Sequence, residues 1–197
     1  VNSALKKLSD SAKLEILSKT IHFEKLIDLG EEFGIAYITN NLQVGVIFMD
    51  KTVLFKNLQF DENIKNNKNQ SYYLYSWKLK PRLSLISELN RHPKLKNKAS
   101  LIEKLITEFK NEIPDFFKNE NESKKNEDAQ INKKSNLKFP IKMYRSNLAY
   151  FIKFSDNNMQ VIFYDYTKLL IGSANFPYLV YWDRKETPHI FCIHQIN

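Results

Sequence analysis

His189, Cys192 and His194 lie within one short stretch of the chain and carry side chains that bind zinc. A closed zinc site takes four such ligands, commonly as two spaced pairs. No second pair accompanies this one, and on an extended strand alternate residues face opposite ways, which sets His189 against Cys192 and His194. The sequence therefore predicts no metal and no cofactor. Cys192 is the only cysteine, so an internal disulfide is excluded, in keeping with a reducing compartment. Nothing beside it supplies the base and orienting group of a thiol nucleophile, and it reads as a small core residue.

Protein-kinase catalysis needs a Gly-rich loop over the phosphates, a strand lysine, an HRD-type loop and a DFG-type metal site. None of these occurs in a chain with four glycines, and no catalysis is expected of it. Lys and Arg number 30 against 22 Asp and Glu, leaving +8, so nucleic acid, anionic lipid and phosphoprotein are all to be weighed as partners. Many of the lysines stand among asparagines, as in Lys65-Asn66-Asn67-Lys68-Asn69, which is the composition of solvated loops. Residues 72–80 mix aromatic and basic side chains as a base-stacking surface would. Alternate residues of a strand must point inward, however, and this run is better suited to a strand under a helix. No apolar stretch reaches the ~20 residues that cross a bilayer, and the first residues lack a signal-peptide pattern. The chain reads as soluble and intracellular, with no membrane partner.

Any binding groups need elements to hold them. Residues 10–20 set Ala12, Leu14, Ile16 and Leu17 among lysines and serines, a short amphipathic helix with Asp10 as its N-cap. Segments rich in β-formers follow at 34–39, 43–49, 52–55 and 71–77, separated by Asn40-Asn41, Asp50-Lys51 and an asparagine-rich loop. That pattern is an antiparallel meander. Over 83–117 the period changes. Leu85, Ile86 and Leu89, then Leu101, Ile102, Leu105, Ile106, Phe109 and Ile113, recur at three and four residues. They predict a long helix on the sheet, interrupted near Pro93, with Ser100-x-x-Glu103 as a capping pattern. Residues 118–136 hold too few apolar groups to offset the entropy of ordering and form a linker. Strand patterns return at 148–154, 159–164, 168–171, 178–182 and 190–196.

Self-comparison shows an internal repeat. Val46-Ile47-Phe48-Met49-Asp50-Lys51-Thr52-Val53-Leu54 recurs as Val161-Ile162-Phe163-Tyr164-Asp165-Tyr166-Thr167-Lys168-Leu169, sharing V-I-F-x-D-x-T-x-L. Upstream, Asn40-Asn41-Leu42-Gln43 matches Asn157-Asn158-Met159-Gln160 if Val44 and Gly45 are extra in the first copy. The shared pattern reads as strand, tight turn at the Asp, strand, with the Thr hydroxyl helping to close the turn. Two copies around a polar linker predict two homologous β domains.

In these hairpins, and in Phe33-Gly34-Ile35-Ala36-Tyr37 before the first, the chain resembles the polo-box region of polo-like serine/threonine kinases. The resemblance covers nearly the whole length in order. It implies an α+β fold of two tandem polo boxes packed together, each an antiparallel sheet of six strands, with a helix across the first. The implied divisions are a cap helix (1–20), the first box with its helix (21–117), the linker (118–136) and a second box (137–197) that lacks its final helix.

The resemblance also implies a phosphopeptide groove between the boxes. The family's second box pinches the phosphate with a His and a Lys two residues apart. Here the Lys position is Lys168 and the His position is Tyr166, which can donate one neutral hydrogen bond where a charge-assisted one is usual. Leu26 stands where the first box has a Trp that favours serine beside the phosphorylated residue, so that preference does not carry over. Phe116 or Phe117 corresponds to an apolar wall of the groove, and Arg145 to an arginine near it. The implied function is a non-catalytic docking module for phosphoserine or phosphothreonine peptides. Its kinase domain would lie upstream of Val1 or on another protein. The implied partners are a phosphorylated protein, that kinase domain and a second copy. The implied locations are cytoplasm, nucleus and spindle-pole or centrosome-like bodies. Two further readings are a phosphate-independent scaffold that binds or self-associates through sheet edges and an apolar groove, and a basic nucleic-acid binder.

Overall fold

A computed structural model describes residues 5–6, 10–58, 72–77, 82–86, 93–114, 137–172 and 177–193. The chain divides into two compact units, one of Glu24–Leu137 and one of Val1–Phe23 with Lys138–Asn197. Among the described residues, no helix is long and apolar enough to cross a membrane.

The contiguous unit is built on an antiparallel sheet of six strands in sequence order: β2 (Phe23–Asp28), β3 (Gly34–Thr39), β4 (Gln43–Phe48), β5 (Thr52–Asn57), β6 (Tyr72–Ser76) and β7 (Arg82–Ile86). Helix α2 (Pro93–Glu112) lies on β4 and β5. Its Ala99, Ile102, Leu105, Ile106 and Phe109 share a stripe at helical spacing and meet Ala36, Val44, Val46 and Leu54 from alternate strand positions. Glu103 seats the helix further, accepting from the Tyr72 hydroxyl and from Lys56 Nζ at 3.3 Å. Lys25 of β2 pairs with Glu112 near the other end.

Two expectations need correcting here. Residues 82–86 form an edge strand with Leu85 opposite Tyr73, not the start of the helix; the spacing of Leu85, Ile86 and Leu89 is too short a run to separate the two periods. Pro93 opens the helix, where its missing N–H costs nothing, so Ser100 lies inside the helix and Glu103 bonds across to the sheet instead of capping it.

The second unit carries β8 (Pro140–Arg145), β9 (Ala149–Phe154), β10 (Met159–Phe163), β11 (Lys168–Gly172), β12 (Tyr178–Trp182) and β13 (Pro188–Ile193). All are antiparallel, and the N-terminal β1 (Leu5–Lys6) adds a seventh strand beside β13. Helix α1 (Asp10–Lys19) packs Ile16 and Leu17 on Leu170, Tyr178, Val180, Trp182 and Ile190. The chain leaving α1 is tied to the same sheet. Thr20 Oγ1 lies 2.6 Å from the Tyr178 hydroxyl, His22 packs on Trp182 at 5.0 Å, and buried Gln160 accepts from Phe23 N at 2.7 Å. Leu26, Phe23 and their neighbours form β2 and the segments 140–145 form β8, edge strands whose mixed polar sequence shows no clear alternation.

One turn geometry recurs through both sheets. Leu42, Lys51, Asn157, Tyr166 and Glu186 all have φ between 55° and 71°. Each donates its N–H to the carbonyl three residues earlier, at 2.9–3.1 Å. This is the three-residue hairpin with a left-handed closing residue. The left-handed residue stands four before the shared Val in both copies, Leu42 before Val46 and Asn157 before Val161. The repeat therefore aligns without a gap: Val44 answers Met159 and Gly45 answers Gln160. The Asn-Asn match had suggested two extra residues because it paired side chains at different turn positions.

Gly172 lies opposite Tyr178, and a Cβ there would meet the Tyr178 ring at 2.2 Å. The phenol lies over the bare backbone and reaches Thr20 from there. Gly172→Ala is expected to cost about 1–3 kcal/mol by overpacking and to loosen α1, read as a lower urea midpoint with reduced helical signal.

Candidate functional site

Asp50 and Asp165 show what the repeated motif does. Asp165 Oδ1 accepts from Thr167 N at 3.1 Å and Thr167 Oγ1 at 2.7 Å, and Asp50 Oδ1 accepts from Thr52 Oγ1 at 2.5 Å. The aspartate bonds across the left-handed residue and fixes the tip of the hairpin. In the second unit this tip carries Tyr166, 81% exposed. Tyr166 occupies the turn and β11 begins at Lys168, so the two do not share one strand face.

Lys168 pairs across to Trp182 on β12, so the 164–167 tip lies beside the 183–187 tip that joins β12 to β13. Two ion pairs cross between these tips. Lys168 Nζ, its side chain only 12% exposed, reaches Glu186 Oε1 at 3.2 Å. Arg184 reaches Asp165 Oδ2 at 3.1 Å. Asp183 closes its own turn by accepting from Lys185 N at 2.8 Å and Thr187 N at 3.0 Å, with His189 Nε2 at 3.4 Å. The result is a ledge with an exposed phenol, one covered ammonium and one open guanidinium. Each cation is held by an exposed carboxylate that an incoming dianion can displace.

The hydrogen bonds from Thr167 and Arg184 hold the Asp165 carboxyl below its usual range. Those from Thr187 and Lys185, with His189, do the same for Asp183.

Arg145 ends β8, exposed, its guanidinium 5.8 Å from the Tyr150 ring. Through Tyr150 and Ile162 it stands in the same cross-sheet row as Lys168, three strands away, or roughly 14 Å between backbones. Leu26 lies half-buried on β2 in the other unit. Phe116 and Phe117, and the 118–136 linker, lie outside the described residues. Arg184 and Glu186 had no sequence signal of their own; they become neighbours of the motif only through the β11–β12 register.

His189 lies on β13 opposite Tyr181, while the Cys192 side chain and His194 are outside what is described. Among the described residues, no group of three His, Cys, Asp or Glu could hold a metal ion. Tyr72 is buried beneath α2, and Tyr73 stacks on Phe55 at 5.2 Å. Tyr72 is thus committed to the interior, and the partly buried Tyr73 has its ring taken up by Phe55.

No family model matches the sequence, and no curated protein matches it. Solved structures do. The polo-box domain of budding yeast Cdc5 in complex with an Spc72 phosphopeptide superimposes with TM-score 0.60 at 12% identity, covering 88% of this chain and 58% of that one. This chain has the polo-box fold. The polo-box domain of Cdc5 from budding yeast gives TM-score 0.55 at 14% identity, over 98% of this chain and 68% of that one. The Cdc5 polo-box domain in complex with the Dbf4 polo-interacting region gives 0.53 at 16%, over 97% and 63%. The chain thus spans about three fifths of the first of these. At such identities the likeness is one of fold: two polo-box sheets, the first crossed by its helix.

A carboxylate held below its usual pKa stabilises the fold above the unfolded value, near 3.8 for Asp. That contribution is lost as pH falls through the lower folded value. Thermal melts between pH 7 and 2.5 should therefore show a loss below about pH 4. Asp165→Asn keeps an acceptor for Thr167 but removes the charge, and should flatten that loss.

Proposed function

We propose that this chain is a non-catalytic docking module that binds phosphoserine or phosphothreonine peptides and so brings an associated kinase to primed substrates. The observation that carries this reading is the ledge of Tyr166, Lys168 and Arg184 on a polo-box fold, in which two cations are held by replaceable carboxylates. A phosphopeptide in the Spc72 complex of the structural neighbour supports it. A phosphate of about −1.5 to −2 charge would take over Lys168 from Glu186 and Arg184 from Asp165, while the Tyr166 hydroxyl donates a third bond. Arg145, in the same row, would meet a more distant part of the peptide. In a longer polypeptide the kinase domain would be joined to this chain, and the module would place it at mitotic structures in cytoplasm and nucleus.

One observation favours a second reading. Lys168 and Arg184 already have acidic partners, so a phosphate-independent scaffold would leave the ledge closed and bind through other surfaces.

A phosphothreonine peptide library and its unphosphorylated twin separate the two. The phosphorylated set should bind more tightly, and Lys168→Ala should weaken it about ten- to a hundredfold, the loss of one charge-assisted bond of about 1.5–3 kcal/mol. Arg184→Ala should weaken it less, because its side chain is more open to solvent. Glu186→Gln should strengthen binding by removing the competitor. Equal affinity for both peptide sets would reject the phosphate reading.

A further inference from the structure

Among the described residues of the second unit, Tyr144, Tyr164, Tyr166 and Tyr181 are exposed, and three of them engage the ring or the hydroxyl. Tyr144 leans on Phe151 at 6.2 Å, Tyr164 donates its hydroxyl to the Ser146 carbonyl at 2.8 Å, and Tyr181 stacks on His189 at 6.2 Å. Tyr166 differs. It is the most open of them, and among the described residues neither its ring nor its hydroxyl has a partner. Its backbone is the opposite case. The N–H donates to the Phe163 carbonyl at 3.0 Å, φ is 71°, and the bonds from Thr167 to Asp165 close the tip around it. A fixed hairpin tip thus holds a phenol open to an approaching enzyme.

Two cations flank that phenol. Arg184 bonds the residue before it, Asp165, and Lys168 follows two residues after it. Two residues span at most about 7 Å of backbone, less than the screening length of about 8 Å at physiological salt. A phosphate esterified to the Tyr166 oxygen would carry a charge of about −1.5 to −2, against the single charge of Glu186 or Asp165 that each cation now holds. Tethered to the same hairpin, it would have a high effective concentration at both cations and would compete strongly with a peptide phosphate arriving from solution.

We propose that Tyr166 is a phosphorylation site for a tyrosine-directed protein kinase, and that its phosphate occupies Lys168 and Arg184 and shuts the ledge. In the transfer the Tyr166 oxygen bonds to the γ-phosphorus of ATP as the bond from that phosphorus to the β–γ bridging oxygen breaks. ADP leaves, and the phenolic proton passes to a base of the kinase. The unmodified tyrosine helps to bind a phosphopeptide and the modified one excludes it, so one side chain sets the state of the module. Exclusion of peptide rests on the phosphopeptide function proposed above; pairing of the phosphate with the two cations does not.

The full chain with phosphotyrosine encoded at position 166 is compared with the unmodified chain. Because two neighbouring cations favour the dianion, phosphorus NMR should show the second ionisation of the phosphate at lower pH than in the same chain unfolded in urea. Lys168→Ala with Arg184→Ala should return it to the unfolded value, with the fold checked by circular dichroism. Phosphothreonine peptides that bind the unmodified chain should bind the phosphorylated one at least about tenfold more weakly, and a phosphatase should restore them. Incubated with ATP and the catalytic domain of a broad-specificity tyrosine kinase, the folded chain should take up phosphate at Tyr166 ahead of Tyr144, read by mass spectrometry. Tyr166→Phe should lose that product. A phosphate that titrates alike in the folded and unfolded chain, peptide affinity unchanged by the modification, or preference for Tyr144 would overturn the proposal. An unmodified chain that binds no phosphopeptide would overturn the proposed function instead, and the phosphorus titration would still decide the pairing.

Discussion

A carboxylate bonded across a left-handed residue sets the register on which both sheets depend. In a β-hairpin a slip of one residue turns every side chain to the other face. The Asp50–Thr52 and Asp165–Thr167 bonds hold the β4–β5 and β10–β11 tips to a single turn, and three more hairpins close with the same geometry. With β10 and β11 locked, Gly172 falls beneath Tyr178, Tyr178 reaches Thr20, and α1 is secured. With β4 and β5 locked, Val44, Val46 and Leu54 point together towards α2. The left-handed residue is never glycine in these five turns, and a side chain at such φ carries a cost. The aspartate and threonine bonds help offset it where they occur.

That same turn explains how the ledge is charged. A residue selected to close a hairpin, Asp165, is also the partner of Arg184, and the neighbouring tip returns Glu186 to Lys168. Hairpin closure and ion pairing thus share one small network. Its cations are kept in place by these carboxylates.

The repeated V-I-F-x-D-x-T-x-L pattern made the hairpins and the paired-sheet fold legible, because turn chemistry and β-formers agree locally. Helix α2 was legible from Ile102 to Phe109 for the same reason. Where local signals are weak the reading failed. The edge strands β2 and β8 mix charges with apolar residues, and β7 is too short for its period to be distinguished from that of a helix. The left-handed conformation of Tyr166 carries no residue signature, as glycine would. Arg184 and Glu186 are far from the motif along the chain, and only the pairing of β11 with β12 makes them its neighbours.

The second unit draws on both ends of the chain, Val1–Phe23 and Lys138–Asn197, while the first is contiguous. During synthesis the first unit has all its residues before the second has half of its own. The second must close a loop of more than a hundred residues to recruit β1 and α1, a slow, entropically costly contact. Until β13 emerges, β1 has no strand to pair with and Ile16 and Leu17 lack part of their apolar seat. The ledge of Tyr166, Lys168 and Arg184 is therefore assembled last, and a polypeptide truncated before β12 would present a finished first box without it.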